Sequence, residues 1–297
     1  MAYLLLAAAA LSITVFAAVM LHAHWQIRSV AVDIPSAGEL DAALDEVSAD
    51  GFPIEIHFAN TAQQSGPFGK LGHVGVLIRW PDGKSFLIDT GMNKTEAIAF
   101  GKPFELLGAD STRTYGALEK QLDSAVNNIR GVGFTHLHSD HTAGIGRICA
   151  AMASPATIYQ TRYQKHLQNL HTRAGQALVD KSSCNKRELG SATIKPVPGF
   201  PGLFVIAAGG HTPGSTLFVT RLEGKTWIFA GDITYAMSDI HSNRDKGFMY
   251  SNLLVPEDVE ILRDWRLWLK AQDDRSGVQV LVAHDIDAYR ASSLQAW

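Results

Sequence analysis

The distribution of apolar and polar positions divides the chain into three stretches of different character. From Ala2 to Leu21 no charged side chain interrupts the apolar run, which ends at His22. As a helix this run would rise about 30 Å, the thickness of a bilayer core. It has no polar face, so the pattern predicts a membrane anchor or a signal segment over 1–28 rather than a core helix. Met1-Ala2-Tyr3 supplies no basic residue ahead of the run, and Leu21-His22-Ala23 is a loose cleavage site, which favours the anchor over a cleaved signal. Residues 29–50 carry Asp33, Pro35, Gly38 and several acids, and read as a linker. From 51 to 297 the pattern is that of a folded domain.

Within that domain, strand-like runs alternate with helical ones. Ile54–Phe58 alternates with period two. His73–Trp80 and Ser85–Asp89 are β-rich and flank Pro81-Asp82-Gly83-Lys84, a hairpin signal. Gly116–Ile129 places Leu118, Leu122, Ala125, Val126 and Ile129 at helical spacing. Strands are expected at Val132–Thr135, Thr157–Tyr159, Phe204–Ala208, Thr216–Arg221, Thr226–Ala230 and Val278–Ala283. Helices are expected over 143–153, 160–171 and 257–271, and Lys181–Lys195 reads as loop or sheet edge. The two halves each begin strand-rich and then alternate, which points to a layered α/β fold.

Composition narrows the function class. The 297 residues are 46% hydrophobic and 19% charged, an ordinary globular balance. Twenty-six basic against 29 acidic residues leave no electrostatic footprint for nucleic acid. Two cysteines exclude a disulfide scaffold and a four-thiolate zinc site. Cys149 and Cys184 could pair with each other in an exported domain.

The histidines carry the chemistry. Three of the 12 lie with an aspartate in Thr135-His136-Leu137-His138-Ser139-Asp140-His141, directly after an apolar strand. Imidazole and carboxylate are the ligands zinc takes when thiolates are absent. In an extended segment His136 and His138 point the same way, while Asp140 and His141 sit where the chain turns and can face a second metal. His211, Asp232 and His284 each follow a later apolar strand. Strand ends of an open α/β sheet are where such sites gather.

This order of His-x-His-x-Asp-His, His, Gly-Asp and His resembles the metallo-β-lactamase superfamily of hydrolases over about Ile54–His284. The resemblance implies an αββα sandwich with a dinuclear zinc site at its edge. It assigns one ion to His136, His138 and His211, the other to Asp140, His141 and His284, and a bridging role to Asp232. Asp89 matches a supporting aspartate of the pattern. Two such ions could share a hydroxide able to attack an ester, thioester, lactone or phosphoester, with Asp140 or Asp232 moving the proton.

Asp232 departs from the true β-lactamases. The short segment after His284 departs from the glutathione-linked thioesterases, and the charge balance from the RNA-processing branches. The single-iron sulfur dioxygenases fit less well, because Asp140 and His284 complete a second metal site. Tyr235, three residues past Asp232, resembles a tyrosine of the N-acyl-homoserine lactonases that reaches the substrate carbonyl. The expected catalytic residues are therefore Asp140, Asp232 and Tyr235, and the expected substrate is a small lactone or carboxylic ester. Phosphotriester hydrolysis and noncatalytic metal binding are the alternatives. The expected location is membrane-anchored, or exported if the first segment is removed.

Other residues are assigned elsewhere. His57 and His73 are expected in the core or hairpin, His166 and His171 in solvent, and His22 and His24 at the membrane interface. Ser238, Asp239, His241 and Arg244 fall in the loop 236–256, where His241 and Phe248 could line a pocket. Phe68 is a lid candidate, and Trp265 and Trp268 belong to a core-facing stripe.

Overall fold

The computed structural model describes residues 1–67 and 69–297; the lid candidate Phe68 lies outside them. Two sheets face each other. The larger has eight strands, which run in space as Gln295–Ala296, Glu55–Gly66, Gly69–Arg79, Ser85–Ile88, Ile129–Gly133, Thr157–Gln160 and Asn185–Glu188, with Arg113–Thr114 paired to Glu55–Gly66. The smaller runs as Val278–Leu281, Lys225–Phe229, Thr216–Leu222, Phe204–Ala207 and Ile194–Pro196.

Period-two alternation explains the layering. Val76, Ile78, Phe86 and Ile88 enter the cluster between the sheets, where they meet Phe218, Trp227 and Phe229. Leu77, Leu87 and Val132 point out of the larger sheet, against Leu118, Leu122, Ile145, Ile148 and Val179 from the helical segments. Leu217, Val219, Ile228 and Val280 point out of the smaller sheet, against Leu262, Trp265 and Leu269 of the helix Val259–Asp273. Both faces of each sheet are therefore buried, and the architecture is the αββα sandwich.

Several local expectations are corrected. The stretch read as a linker contains the helix Ala37–Asp45, started by a reciprocal capping box between Ser36 and Glu39. Its Leu40 and Leu44 are fully buried against the outer face of the smaller sheet. Each contributes about 1.5–3 kcal/mol by burial, enough to hold a short helix onto the domain. Over 116–129 the chain forms two short pieces, Leu118–Gln121 and a tighter turn at Asp123–Asn128, because Leu122 is followed by Asp123 at φ 47°. Over 160–171 only Arg162–His166 is helical, and a separate helix, Arg173–Lys181, follows. The polar run 181–195, in agreement with its reading as loop or sheet edge, holds the exposed edge strand Asn185–Glu188. Cys149 and Cys184 form a disulfide, which ties the helix Ile145–Ala151 to the segment before this edge strand.

The N-terminal helix spans Ala2–Arg28 and is long and apolar enough to cross a membrane. Its last turns lie on the domain. Met20, Ala23 and Ile27 are buried, the His24 ring meets the carbonyl of Asn252 at 3.2 Å, and Gln26 donates to the carbonyl of Gln168 at 3.0 Å.

Candidate metal centre

Strand direction brings the chemistry to one edge. Ser85–Ile88 and Ile129–Gly133 run parallel, so their C-terminal ends lie side by side. Those ends deliver Asp89 and the segment His136–His141. In the smaller sheet Lys225–Phe229 and Val278–Leu281 are parallel, and Phe204–Ala207 has the same sense through the antiparallel Thr216–Leu222. Their ends deliver Asp232, His284 and His211. Backbone hydrogen bonds from Thr216 to Thr135 at 2.7 Å and from Gly72 to His284 at 2.9 Å tie the two sheets together at this edge. Gly231 sets the approach: its φ is 58°, and a Cβ there would lie 2.6 Å from that of Thr135.

The structure brings together every metal-ligating position expected from the sequence. His136, His138 and His211 form one group able to hold an ion, and their ring centroids lie 4.5–4.8 Å apart. Asp140 Oδ2 lies 3.3 Å from His141 Nε2 and 3.5 Å from His284 Nε2. Asp232 stands between the two groups. Its carboxylate is 3.0 Å from His284 Nε2, 3.5 Å from His141 Nε2, 3.6 Å from His211 Nε2 and 3.9 Å from His136 Nε2.

Five of the donor atoms lack hydrogen-bond partners. Nε2 of His136, His138, His141 and His211, and Oδ1 of Asp232, are all buried and unpaired. Orphaned buried polar atoms are costly, and five pointing at one centre fit a group that binds them together, namely divalent metal. Burial, with the neighbouring imidazoles, holds His136 well below the usual histidine range and pushes His138 down to about 3. Burial and then the Lys246 ammonium do the same to His211. All three rings therefore keep a free lone pair at neutral pH. His141 behaves oppositely: burial opposes its charge, but Asp140 and Asp89 on its two sides outweigh burial and hold it well above that range.

The far ring nitrogens are held from behind, which fixes tautomer and orientation. Asp89 accepts from His141 Nδ1 at 2.8 Å, and it also accepts from the Thr135 amide at 2.8 Å and hydroxyl at 2.7 Å. Asp89 adopts φ 58°, a left-handed conformation uncommon for aspartate, and its three bonds hold it there. The carbonyl of Gly72 accepts from His284 Nδ1 at 2.6 Å. Glu257 sits 2.6 Å from His211 Nδ1 and accepts from Lys246 Nζ at 2.8 Å and Ser251 Oγ at 2.6 Å. Lys246 also donates to the Asp232 carbonyl at 2.6 Å.

Sequence reasoning missed Lys246 and Glu257. Both sit in segments without a motif, and only folding brings them behind His211. It also misplaced His73. This residue does lie in a core strand, yet its Nδ1 is 3.2 Å from Asp140 Oδ2, and it forms a possible ion-holding group with Asp140 and His284. A histidine on a strand adjoining the metal edge was the available signal. His171, expected in solvent, is half-buried with its ring 5.7 Å from that of His138. His166 is exposed beside Glu188, and His57 pairs with Glu55. His24 packs on the domain, while His22 stacks on Trp25. His241 turns away from the site toward Asp273, and Asp239 is held by Thr234 and Arg244. Phe248 is exposed and does not line the cleft described next.

Tyr235 lies at the rim of the centre, its ring 5.8 Å from that of His284 and edge-on to Tyr250 at 5.5 Å, with Lys246 Nζ 4.7 Å from its face. Burial first, then Tyr250 and the Asp232 charge, push its phenol well above the usual tyrosine range, so it carries its proton. A cleft of about 290 Å³ reaches the site at His138; His171, Tyr250, Phe100, Phe104, Leu107 and Leu254 line it. A larger hollow of about 530 Å³ lies elsewhere, beside Asp33 and Lys195, and among the described residues no cluster of metal donors lines it.

The family model of the metallo-beta-lactamase superfamily matches residues 69–290. The chain belongs to this superfamily. The superfamily and the similar structures below indicate a metal-dependent hydrolase, and the donor set described above fits that chemistry. No curated protein sequence matches the chain. Among solved structures, a variant of B. thuringiensis AiiA with N-decanoyl-L-homoserine at its active site is similar with a TM-score of 0.60 at 15% identity, over 82% of this chain and 98% of that one. AidC, a dizinc quorum-quenching lactonase holding N-hexanoyl-homoserine product, is similar with a TM-score of 0.55 at 15% identity, over 79% and 89%. A probable metal-dependent hydrolase from Staphylococcus aureus gives 0.55 at 16% identity, over 79% and 90%. At these identities the likeness concerns the fold.

Proposed function

We propose that this protein is a membrane-anchored, dinuclear zinc hydrolase that opens lactones or cleaves carboxylic esters, with N-acyl-homoserine lactones the leading substrates. The observation that carries the reading is the meeting of the two donor groups across Asp232, with a protonated phenol and an apolar cleft beside them. In this reading His136, His138 and His211 hold one ion, Asp140, His141 and His284 the other, and Asp232 both. His73 supports Asp140. The bound ions supply an activated water and a Lewis acid at neutral pH.

The chain's own residues do the rest. The phenol of Tyr235 donates to the developing oxyanion or to the leaving alkoxide, an interaction that strengthens as charge appears. Asp140 or Asp232 carries the proton to the leaving oxygen. Phe100, Phe104, Leu107 and Leu254 take an acyl chain and exclude water from the reacting carbonyl. Anchoring is supported by the exposed apolar length of the N-terminal helix. The Cys149–Cys184 disulfide supports a domain on the oxidising side of the membrane.

The test is proton release by pH-stat from the zinc-loaded full chain in detergent, with acyl-homoserine lactones and with His138→Ala as control. Acid release that is lost in the variant is the expected result. A sample holding two ions per chain that opens no lactone and cleaves no carboxylic ester refutes the reading. Turnover of phosphotriesters by that sample would assign the alternative hydrolase chemistry, and no turnover of any ester would assign a binding role.

A further inference from the structure

The last turns of the N-terminal helix and the rim of the cleft are one surface. His24 meets the carbonyl of Asn252 and Gln26 donates to that of Gln168, and these two segments also supply Tyr250, Leu254, Val255 and His171 to the cleft or its border. At about 1.5 Å rise per residue, His24 and Gln26 lie only about 5–8 Å past Leu21, where the uncharged run ends. That depth is the headgroup layer of a bilayer whose core the run spans. Leu170 reaches further, lining a hollow with Ala18, Val19 and His22, at the level of the apolar run itself.

The chain segments that line the cleft also carry exposed apolar side chains. Leu106 is 82% exposed, Phe248 74%, Met249 64% and Leu254 55%. Leu107, Leu170 and Leu253 are exposed beside them. Scattered apolar residues need no explanation, but a set carried by the segments that line one opening marks an interaction surface. Continuity with the helix identifies what covers it.

We propose that the mouth of the cleft docks on the bilayer that the N-terminal helix spans. The segments around Leu106, Leu170 and Leu253 rest in the headgroup layer, and the site takes a long-chain acyl lactone or ester directly from the membrane. This inference rests on the anchor and on the hydrolase reading, but docking is measured without turnover. A lipid-facing mouth would admit amphiphiles whose chains already lie in the bilayer, leaving the polar ring at the depth of the metal centre.

The experiment places a single fluorescent label on the full chain in phosphatidylcholine–phosphatidylglycerol vesicles containing brominated acyl chains. The label sites are Leu106→Cys and Leu253→Cys on the rim, Ser12→Cys within the helix, and Asp82→Cys in the turn at the opposite sheet edge. The native cysteines are already paired with each other. Docking predicts bromine quenching at positions 12, 106 and 253 and none at 82. Quenching at 12 with none at 106 and 253 overturns docking while the anchor stands. No quenching at 12 removes the anchor, and docking with it. A label at 106 that is shielded from water yet insensitive to bromine would put a second copy on the rim, which also overturns the proposal.

In kinetics, Leu106→Ser combined with Leu253→Ser should slow a dodecanoyl lactone in vesicles about fivefold and leave a water-soluble butanoyl ester unchanged. An equal effect on both substrates would count against access from the bilayer.

Discussion

Glu257 offers the sharpest test of how the centre is built. Its carboxylate and the Lys246 ammonium are each 1% exposed and meet at 2.8 Å. At an effective dielectric near 20 their gross attraction is about 6 kcal/mol, much of it offset by the cost of stripping both groups of water. Glu257→Gln keeps the volume and an acceptor for His211 but deletes the charge. The Lys246 ammonium then stays buried with the Asp232 carbonyl and no anion against it. Breaking one side of a buried pair in this way costs about 3–5 kcal/mol. For a chain of this size the melting temperature should fall by roughly 6–15 °C.

The complementary change separates stability from metal binding. Glu257→Leu with Lys246→Met replaces the pair by apolar groups and should restore most of the lost stability. It also leaves His211 Nδ1 without the acceptor that Gln would keep, so in this double variant alone zinc affinity should fall by about 10–100-fold, or about 1.4–2.8 kcal/mol. Thermal unfolding of the metal-free protein reads the first quantity. Competition for zinc with a chromophoric chelator reads the second. If the double variant melts as low as Glu257→Gln, the buried-charge account is wrong. If the double variant binds zinc as tightly as the parent, Glu257 does not orient His211.

The other predictions concern single contacts. Asp89→Ala removes the acceptor behind His141 and the lock on Thr135, and zinc titration should show one of two sites weakened about 10–100-fold. Tyr235→Phe should lower kcat for lactone opening by about 100-fold while KM and bound zinc stay within about twofold, measured by pH-stat and metal analysis. Cys149→Ala with Cys184→Ala opens a loop of sequence separation 35, and by loop entropy should cost about 4 kcal/mol, seen as a lower melting temperature that added reductant no longer changes.

What was legible in the sequence follows from the range of the forces involved. A layered α/β fold could be read because period-two burial is local: Val76 and Ile78 against Leu77, or Phe86 and Ile88 against Leu87, declare two buried faces within a few residues; the αββα arrangement came only with the resemblance. The donor set could be read because its core, His136 to His141, is also local, and each later ligand follows a strand that announces itself. The helix Ala37–Asp45 was hidden by its acids and its glycine. Its formation depends on the Ser36 cap and on two leucines whose burial partner lies far along the chain. The backs of the histidines were not legible, since a carboxylate behind a ligand needs no spacing relative to it. Glu257 and His211 are 46 residues apart, and His141 and Asp89 are 52 apart. Only the second pair lay within the resemblance.

The same difference in range explains why His73 was misassigned and what its position implies. Its strand gives it the burial of a core residue, and strand pattern alone cannot distinguish a packed histidine from one facing a carboxylate. In the fold its Nδ1 turns to Asp140, whose Oδ2 is already approached by His141 and His284. Burial, with the Asp140 contact opposing it, leaves His73 below the usual histidine range, so it is neutral at pH 7 and lies 3.2 Å from Asp140 as a neutral neighbour rather than as a countercharge. A neutral partner steadies the carboxylate without cancelling the charge that a bound cation needs. The fold thus backs His141, His211, His284 and Asp140 with groups that direct them and leaves their charge available. That requirement is met by residues scattered along the chain, and it becomes visible only once the sheet edges have brought them together.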